Sequence, residues 1–210
     1  MIEVYAFATS NSVKVPIALE ELDLPYTLHA VNIRAGEQRL PEFVMKNRNA
    51  KVPVLVDPDA PIIISESAAI LVYLAEKTGR LLPTSGLARS RVFEQLFFHA
   101  SALSPAFGQA GYFQKLAPEP IAHAIERFRN EAKRVLAVLD ATLAESEFVA
   151  GSALSIADIA HFGWIWRREF AGVALDDAPN VARWFAQLDA RPAFQRGVAR
   201  TSALAQPGTK

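Results

Sequence analysis

The chain has 210 residues, 51% hydrophobic and 21% charged, with 22 basic and 22 acidic side chains and no Cys. That composition supports a sizeable core and excludes disorder, and the balanced charge argues against a general affinity for nucleic acid or anionic membrane. The missing Cys removes disulfides, thiolate metal sites and a cysteine nucleophile. Glu3 interrupts the first apolar run and no basic region precedes it, so a secretory leader is not expected. The apolar stretches are too short to span a bilayer. A soluble, cytoplasmic protein of one large or two small domains is expected.

Ile2 to Phe7 reads as a strand. It runs into Ala8-Thr9-Ser10-Asn11-Ser12-Val13-Lys14, where Asn11 or Ser12 is suited to cap a helix carrying Pro16, Ile17, Leu19 and Leu22. A strand end feeding a helix N-terminus is a natural anion cradle, because the first helical N–H groups lack intrahelical partners. Such a place also lowers a thiol's pKa. Without a Cys, that thiol has to belong to a ligand.

Tyr26 to Ile33 suits a second strand, Arg34 to Arg39 a polar loop, and Leu40-Pro41-Glu42-Phe43 the start of a short helix. Val52 to Val56 and Ile62 to Ile64 are β-branched runs either side of a turn, and are expected to pair as a hairpin. Ser65-Glu66-Ser67 opens a helix with Ile70, Leu71 and Leu74 on one side. The order is β-α-β-α-β-β-α, with a parallel pair followed by antiparallel strands.

The remainder reads as helical. Thr78 to Ala88 is linker-like, and Phe93, Leu96, Phe97, Ala100 and Leu103 keep a helical period up to Pro105. Ile121, Ile125, Phe128, Ala132, Val135, Leu136, Leu139 and Leu143 form a long amphipathic stripe. Ser155-Ile156-Ala157-Asp158 is a capping-box pattern opening a helix apolar on several faces, hence central. Val181, Trp184, Phe185 and Leu188 mark another helix, and Pro192 starts a last one. The fold class is α+β, with an α/β unit at 1–78, a linker at 79–87 and an all-helical domain at 88–210.

This order, with Lys51-Val52-Pro53, Glu66-Ser67 and Ser155-Ile156-Ala157-Asp158 at their places in it, resembles the glutathione transferases over essentially the whole chain. Thr9 to Lys14, Arg48-Asn49-Ala50-Lys51-Val52-Pro53, Phe107-Gly108-Gln109 and Ala124 to Phe128 are more closely similar to the bacterial nu class, also described as disulfide-bond oxidoreductases. The resemblance implies a thioredoxin-like N-terminal domain and a homodimer. It also implies that Thr9 and Asn11 replace the usual catalytic Tyr, Ser or Cys. Where that group commonly has Pro and Gly around the Asn, this chain has Ser10 and Ser12, and Ser10 is the rival catalytic hydroxyl.

The resemblance further implies roles in holding glutathione, as one or two molecules or as oxidised glutathione. Pro53 falls where such folds carry a cis-proline, offering the Val52 backbone to the cysteinyl segment. Ser67 and its helix N-terminus suit the γ-glutamyl carboxylate, and Glu66 suits the ammonium. Lys51 and Gln38 or Arg39 suit the glycyl end, and Arg134 aligns with a basic position that approaches glutathione across the dimer. Lowering a thiol pKa by two units takes about 2.7 kcal/mol. Two or three donors to the charged sulfur, each worth about 1 kcal/mol or more, supply it.

The expected function is glutathione-dependent reduction of disulfides, with conjugation of electrophiles as companion activity. The competing reading is a non-catalytic interaction module on the same fold. Taken alone, Thr9-Ser10-Asn11-Ser12 also reads as a helix cap and turn. His29, His99, His123 and His161 show no metal-ligand spacing, so no metal is expected.

Overall fold

The computed structural model describes residues 1–205. They group into two compact units, one of Met1–Arg80 joined by residues 190–205, the other of Leu81–Asp189.

In the first unit, β1 (Ile2–Ala6) lies between β2 (Tyr26–Ala30) and β3 (Val54–Asp57), and β4 (Ile62–Ser65) closes the far edge. β1 runs parallel to β2, with Val4 opposite Leu28, and antiparallel to β3, with Val4 opposite Leu55. β3 and β4 form the expected antiparallel hairpin. Alternation along β1 sends Ile2, Val4 and Ala6 into the core, while Glu3 and Tyr5 take the other face. On that other face Tyr5 and Val52 pack on a cluster of Val31, Phe43 and Val54, with Phe43 supplied by the short helix α2 (Pro41–Val44).

The helices α1 (Lys14–Glu21) and α3 (Ser67–Thr78) pack against each other. The last helix, α9 (Pro192–Ala203), packs on α1. This cuts the chain differently from a linear division at residue 88. Gly197 explains the close approach, since a Cβ there would stand 2.7 Å from the Ile17 backbone nitrogen. Arg191 reaches Glu21 with two hydrogen bonds of 2.7 and 2.9 Å, and Arg196 reaches Glu20 at 2.6 Å. Such matching across 170 or more residues leaves no local mark in the sequence.

The second unit is helical: α4 (Gly86–Phe98), α5 (Ser104–Lys115), α6 (Ala122–Glu145), α7 (Ile156–Trp166) and α8 (Pro179–Asp189). The helical run does not stop at Pro105. A π-helical turn over His99–Leu103 leads into α5, and Pro105, which has no N–H to donate, stands directly after that turn. The α6 stripe is buried from Ala132 to Leu143, while Ile121 ahead of it is exposed. α7 is buried from Ile156 to Ile165, as its all-round apolar pattern predicts. Its capping box is complete: Ser155 Oγ accepts from the Ala157 N–H, and Asp158 accepts from the Ser155 N–H. Asp158 also accepts from the Val149 N–H and the Trp184 indole. Among the described residues no helix is long and apolar enough to cross a membrane.

Candidate active site at the β1–α1 junction

Between β1 and α1 the chain makes a turn closed by Thr9. The Ser12 N–H donates to Thr9 Oγ1 (3.1 Å) and the Val13 N–H to the Thr9 carbonyl (3.1 Å). Thr9, not Asn11 or Ser12, therefore closes the turn that leads into the helix, and Val13 at the helix start makes no side-chain cap bond.

The Thr9 and Ser12 hydroxyls are hydrogen-bonded at 3.0 Å, and Ser12 Oγ also accepts from the Phe7 N–H at 3.4 Å. Ser12 is fully buried and Thr9 half-buried. If Thr9 donated to Ser12, the buried Ser12 proton would have no acceptor among these contacts. Satisfying both hydroxyls requires Ser12 to donate to Thr9, which leaves the Thr9 proton for another acceptor. Ser10 is 7% exposed.

Asn11 is held differently. The Lys14 ammonium donates to Asn11 Oδ1 at 2.8 Å and to Ser67 Oγ at 3.2 Å. Lys14 is fully buried, and its pKa is lowered to about 7, first by that burial, with the nearby Glu66 charge opposing the shift. One side chain thus ties the first strand–helix junction to the start of α3, 53 residues later. Sequence reading passed over Lys14, because lysine is ordinarily a solvent residue. The available signal was its position between Val13 and Val15 at the head of a buried helix.

Glu66 precedes α3 with φ 68° and ψ 112°, a conformation that costs a side-chain-bearing residue about 1–3 kcal/mol. α3 has no side-chain cap, so the N–H groups of its first turn remain available as donors to an anion. Val52–Pro53 is a cis peptide bond, as Pro53's place in the fold predicts. Asn47 Nδ2 donates to the Lys51 carbonyl at 2.7 Å, holding the loop ahead of it, and the Lys51 side chain is exposed. Gln38, in a 3-10 turn at Glu37–Arg39, has a buried Oε1 with no hydrogen-bond partner among the described residues. Arg134 belongs to α6 in the second unit, is exposed, and makes two hydrogen bonds to Glu131 at 2.9 and 2.7 Å.

Tyr5 is a different kind of hydroxyl. It donates to Glu3 Oε2 at 2.9 Å, and burial followed by the Glu3 contact raises its pKa, the reverse of an activated phenol. It lines a cavity of about 500 Å³ with His29, Phe43 and Lys46 on the α2 face of the sheet. Asn11 and Ser67 do not line that cavity.

Residues 9–77 match the glutathione S-transferase N-terminal domain and residues 98–192 the C-terminal domain. The disulfide-bond oxidoreductase YfcG of Escherichia coli is 38% identical over 200 residues, 92% of each chain. The chain belongs to the glutathione S-transferase family. A glutathione transferase family member from Pseudomonas fluorescens, solved with two glutathione molecules bound, superposes on this glutathione S-transferase with a TM-score of 0.89 at 40% identity. That match covers 94% of this chain and 92% of the other. The Pseudomonas putida glutathione transferase, with one glutathione disulfide bound per subunit, gives a TM-score of 0.87 at 36% identity, covering 99% and 92%.

Proposed function

We propose that this glutathione S-transferase binds glutathione at the β1–α1 junction, stabilises its thiolate, and uses it to reduce disulfides, with electrophile conjugation at the same site. The observation that carries this reading is the Lys14 link between Asn11 and Ser67. It sets a sulfur-directed amide beside an anion-binding helix start, the two ends of a site for an anionic thiol peptide. One relative named a disulfide-bond oxidoreductase and another, a glutathione transferase solved with glutathione disulfide bound, support the same chemistry.

Thr9 and Asn11 donate to the sulfur, and Ser10 is the alternative hydroxyl. Ser67 and the free N–H groups of α3 take the γ-glutamyl carboxylate, and Glu66 its ammonium. The Val52 backbone beside Pro53 pairs with the cysteinyl segment. Lys51 and Gln38 take the glycyl end, where the unpartnered Gln38 Oε1 offers an acceptor for a peptide N–H. Arg134 is assigned to the partner-facing side of a homodimer, and exposed Leu87 and Phe97 on α4 support such pairing.

In the reaction, a glutathione thiolate attacks one sulfur of the substrate disulfide. A mixed disulfide forms and the other substrate sulfur leaves as thiolate, taking a proton from water. A second glutathione thiolate attacks the glutathione sulfur of the mixed disulfide. This yields glutathione disulfide and frees the second substrate thiol. The protein supplies thiolate stabilisation and alignment. Dependence on reduced glutathione supports a cytoplasmic setting. Disulfide reduction by Thr9→Ala and Asn11→Ala tests the assignment: each is expected to lose about tenfold or more in kcat/KM, and full activity in both contradicts it.

A further inference from the structure

A buried lysine ammonium is expensive, and replacing a buried charge with an apolar side chain of similar volume is often neutral or stabilising. Lys14 is fully buried all the same, and two of its hydrogen bonds go to the two ends of the candidate site. An ammonium only donates, so each partner must turn an oxygen towards it. For Asn11 this settles which way the amide faces: Oδ1 lies on Lys14 and the two Nδ2 protons lie on the opposite side. For Ser67 the oxygen is occupied as acceptor, and the hydroxyl proton must point elsewhere.

We propose that Lys14 is a positioning residue for the glutathione reaction. Its ammonium presents the Asn11 N–H₂ to the sulfur and the Ser67 O–H to the γ-glutamyl carboxylate. This rests on the glutathione reading above. Without Lys14 the Asn11 amide is free to flip, and half of its orientations set Oδ1, a repulsive lone pair, against the thiolate. The Glu66 charge, at the start of α3, opposes the lowering of the Lys14 pKa by burial. Lys14 itself touches neither substrate nor sulfur in this account and acts through Asn11 and Ser67.

The test is the titration of the thiolate's ultraviolet absorbance for glutathione bound to wild type, Lys14→Met and Lys14→Gln. Steady-state disulfide reduction is followed across pH in parallel. Lys14→Met is expected to raise the bound thiol's pKa by about one unit, lowering kcat near neutral pH about tenfold and recovering at alkaline pH. KM for glutathione is expected to rise several-fold through Ser67. Lys14→Gln, which keeps a donor, is expected to show a smaller pKa rise and a smaller KM effect than Lys14→Met, and it carries the test if Met does not fold. In the Asn11→Ala background the Lys14 substitution should add less than twofold to the pKa-linked loss, because the route through Asn11 is already gone. Folded variants with unchanged thiol pKa and KM overturn the proposal, as does full additivity with Asn11→Ala. Failure of wild type to bind millimolar glutathione in calorimetry would instead overturn the glutathione reading itself.

Discussion

The Thr9 and Ser12 hydroxyls stand 3.0 Å apart, and the buried Ser12 has its proton satisfied only by donating to Thr9. Thr9 then accepts two hydrogen bonds, one from the Ser12 N–H and one from its hydroxyl, and chained hydrogen bonds strengthen the next donor in line. Ser12→Ala removes this support and leaves the Phe7 N–H without its side-chain acceptor. We expect a stability loss of about 1–2 kcal/mol by chemical denaturation and a fall of about threefold in kcat/KM. A stability loss with unchanged turnover would show that Ser12 serves folding alone.

Glu66 holds a positive φ of 68° at the head of α3. Glycine adopts that conformation freely and alanine does not. Glu66→Gly and Glu66→Ala remove the same carboxylate and are expected to weaken glutathione binding equally. Glu66→Gly should nevertheless be the more stable of the two by about 1 kcal/mol in thermal or urea unfolding. Equal stabilities would mean that the backbone relaxes once the side chain is gone.

Burial holds the Lys14 pKa near 7, well below that of a lysine in the unfolded chain. Between about pH 7 and the unfolded lysine pKa of about 10.4, the unfolded state therefore binds more protons, and this group's contribution to stability rises with pH. Below about pH 7 the full cost of the buried ammonium is present. Ligand-free Lys14→Met should match or exceed wild type in stability at pH 6, with its advantage shrinking from pH 7 to pH 10. A pH-independent difference between the two would contradict this.

Asp158 accepts from the Val149 and Ser155 N–H groups, the Ser155 hydroxyl and the Trp184 indole, all inside the second unit's core. Asp158→Ala leaves several buried donors unpaired and is expected to cost at least about 3 kcal/mol. Ser155→Ala removes the N-cap acceptor and one of the four donors to Asp158, and should cost about 1–2 kcal/mol. Urea unfolding of the two variants checks the order; equal costs would place the Asp158 network outside the stability core.

The features of the fold that are legible in the sequence are local ones. The β-α-β-α-β-β-α order and the Ser155–Asp158 capping box are each set by a few adjacent residues, whereas the cis Val52–Pro53 bond is what the family resemblance implies. Thr9, Asn11, Glu66 and Ser67 are named as site candidates by the family resemblance, at places where strands hand over to helices. The return of α9 to α1 could not, since it depends on Gly197 meeting Ile17 and on arginines meeting Glu20 and Glu21 far away in the chain. The passage through Pro105 depends on a π-helical turn with no sequence signature of its own. Lys14 was missed for the same reason: a lysine's burial is decided by what folds over it.

The central claim is that glutathione sulfur sits at the β1–α1 junction. A crystal structure of the chain soaked with glutathione disulfide tests it most directly. We expect one sulfur within about 3.5 Å of Thr9 Oγ1 or Asn11 Nδ2, with the γ-glutamyl carboxylate on Ser67 and the first N–H groups of α3. Glutathione disulfide bound with both sulfurs remote from Thr9 and Asn11, or no binding at saturating concentration, would contradict the account.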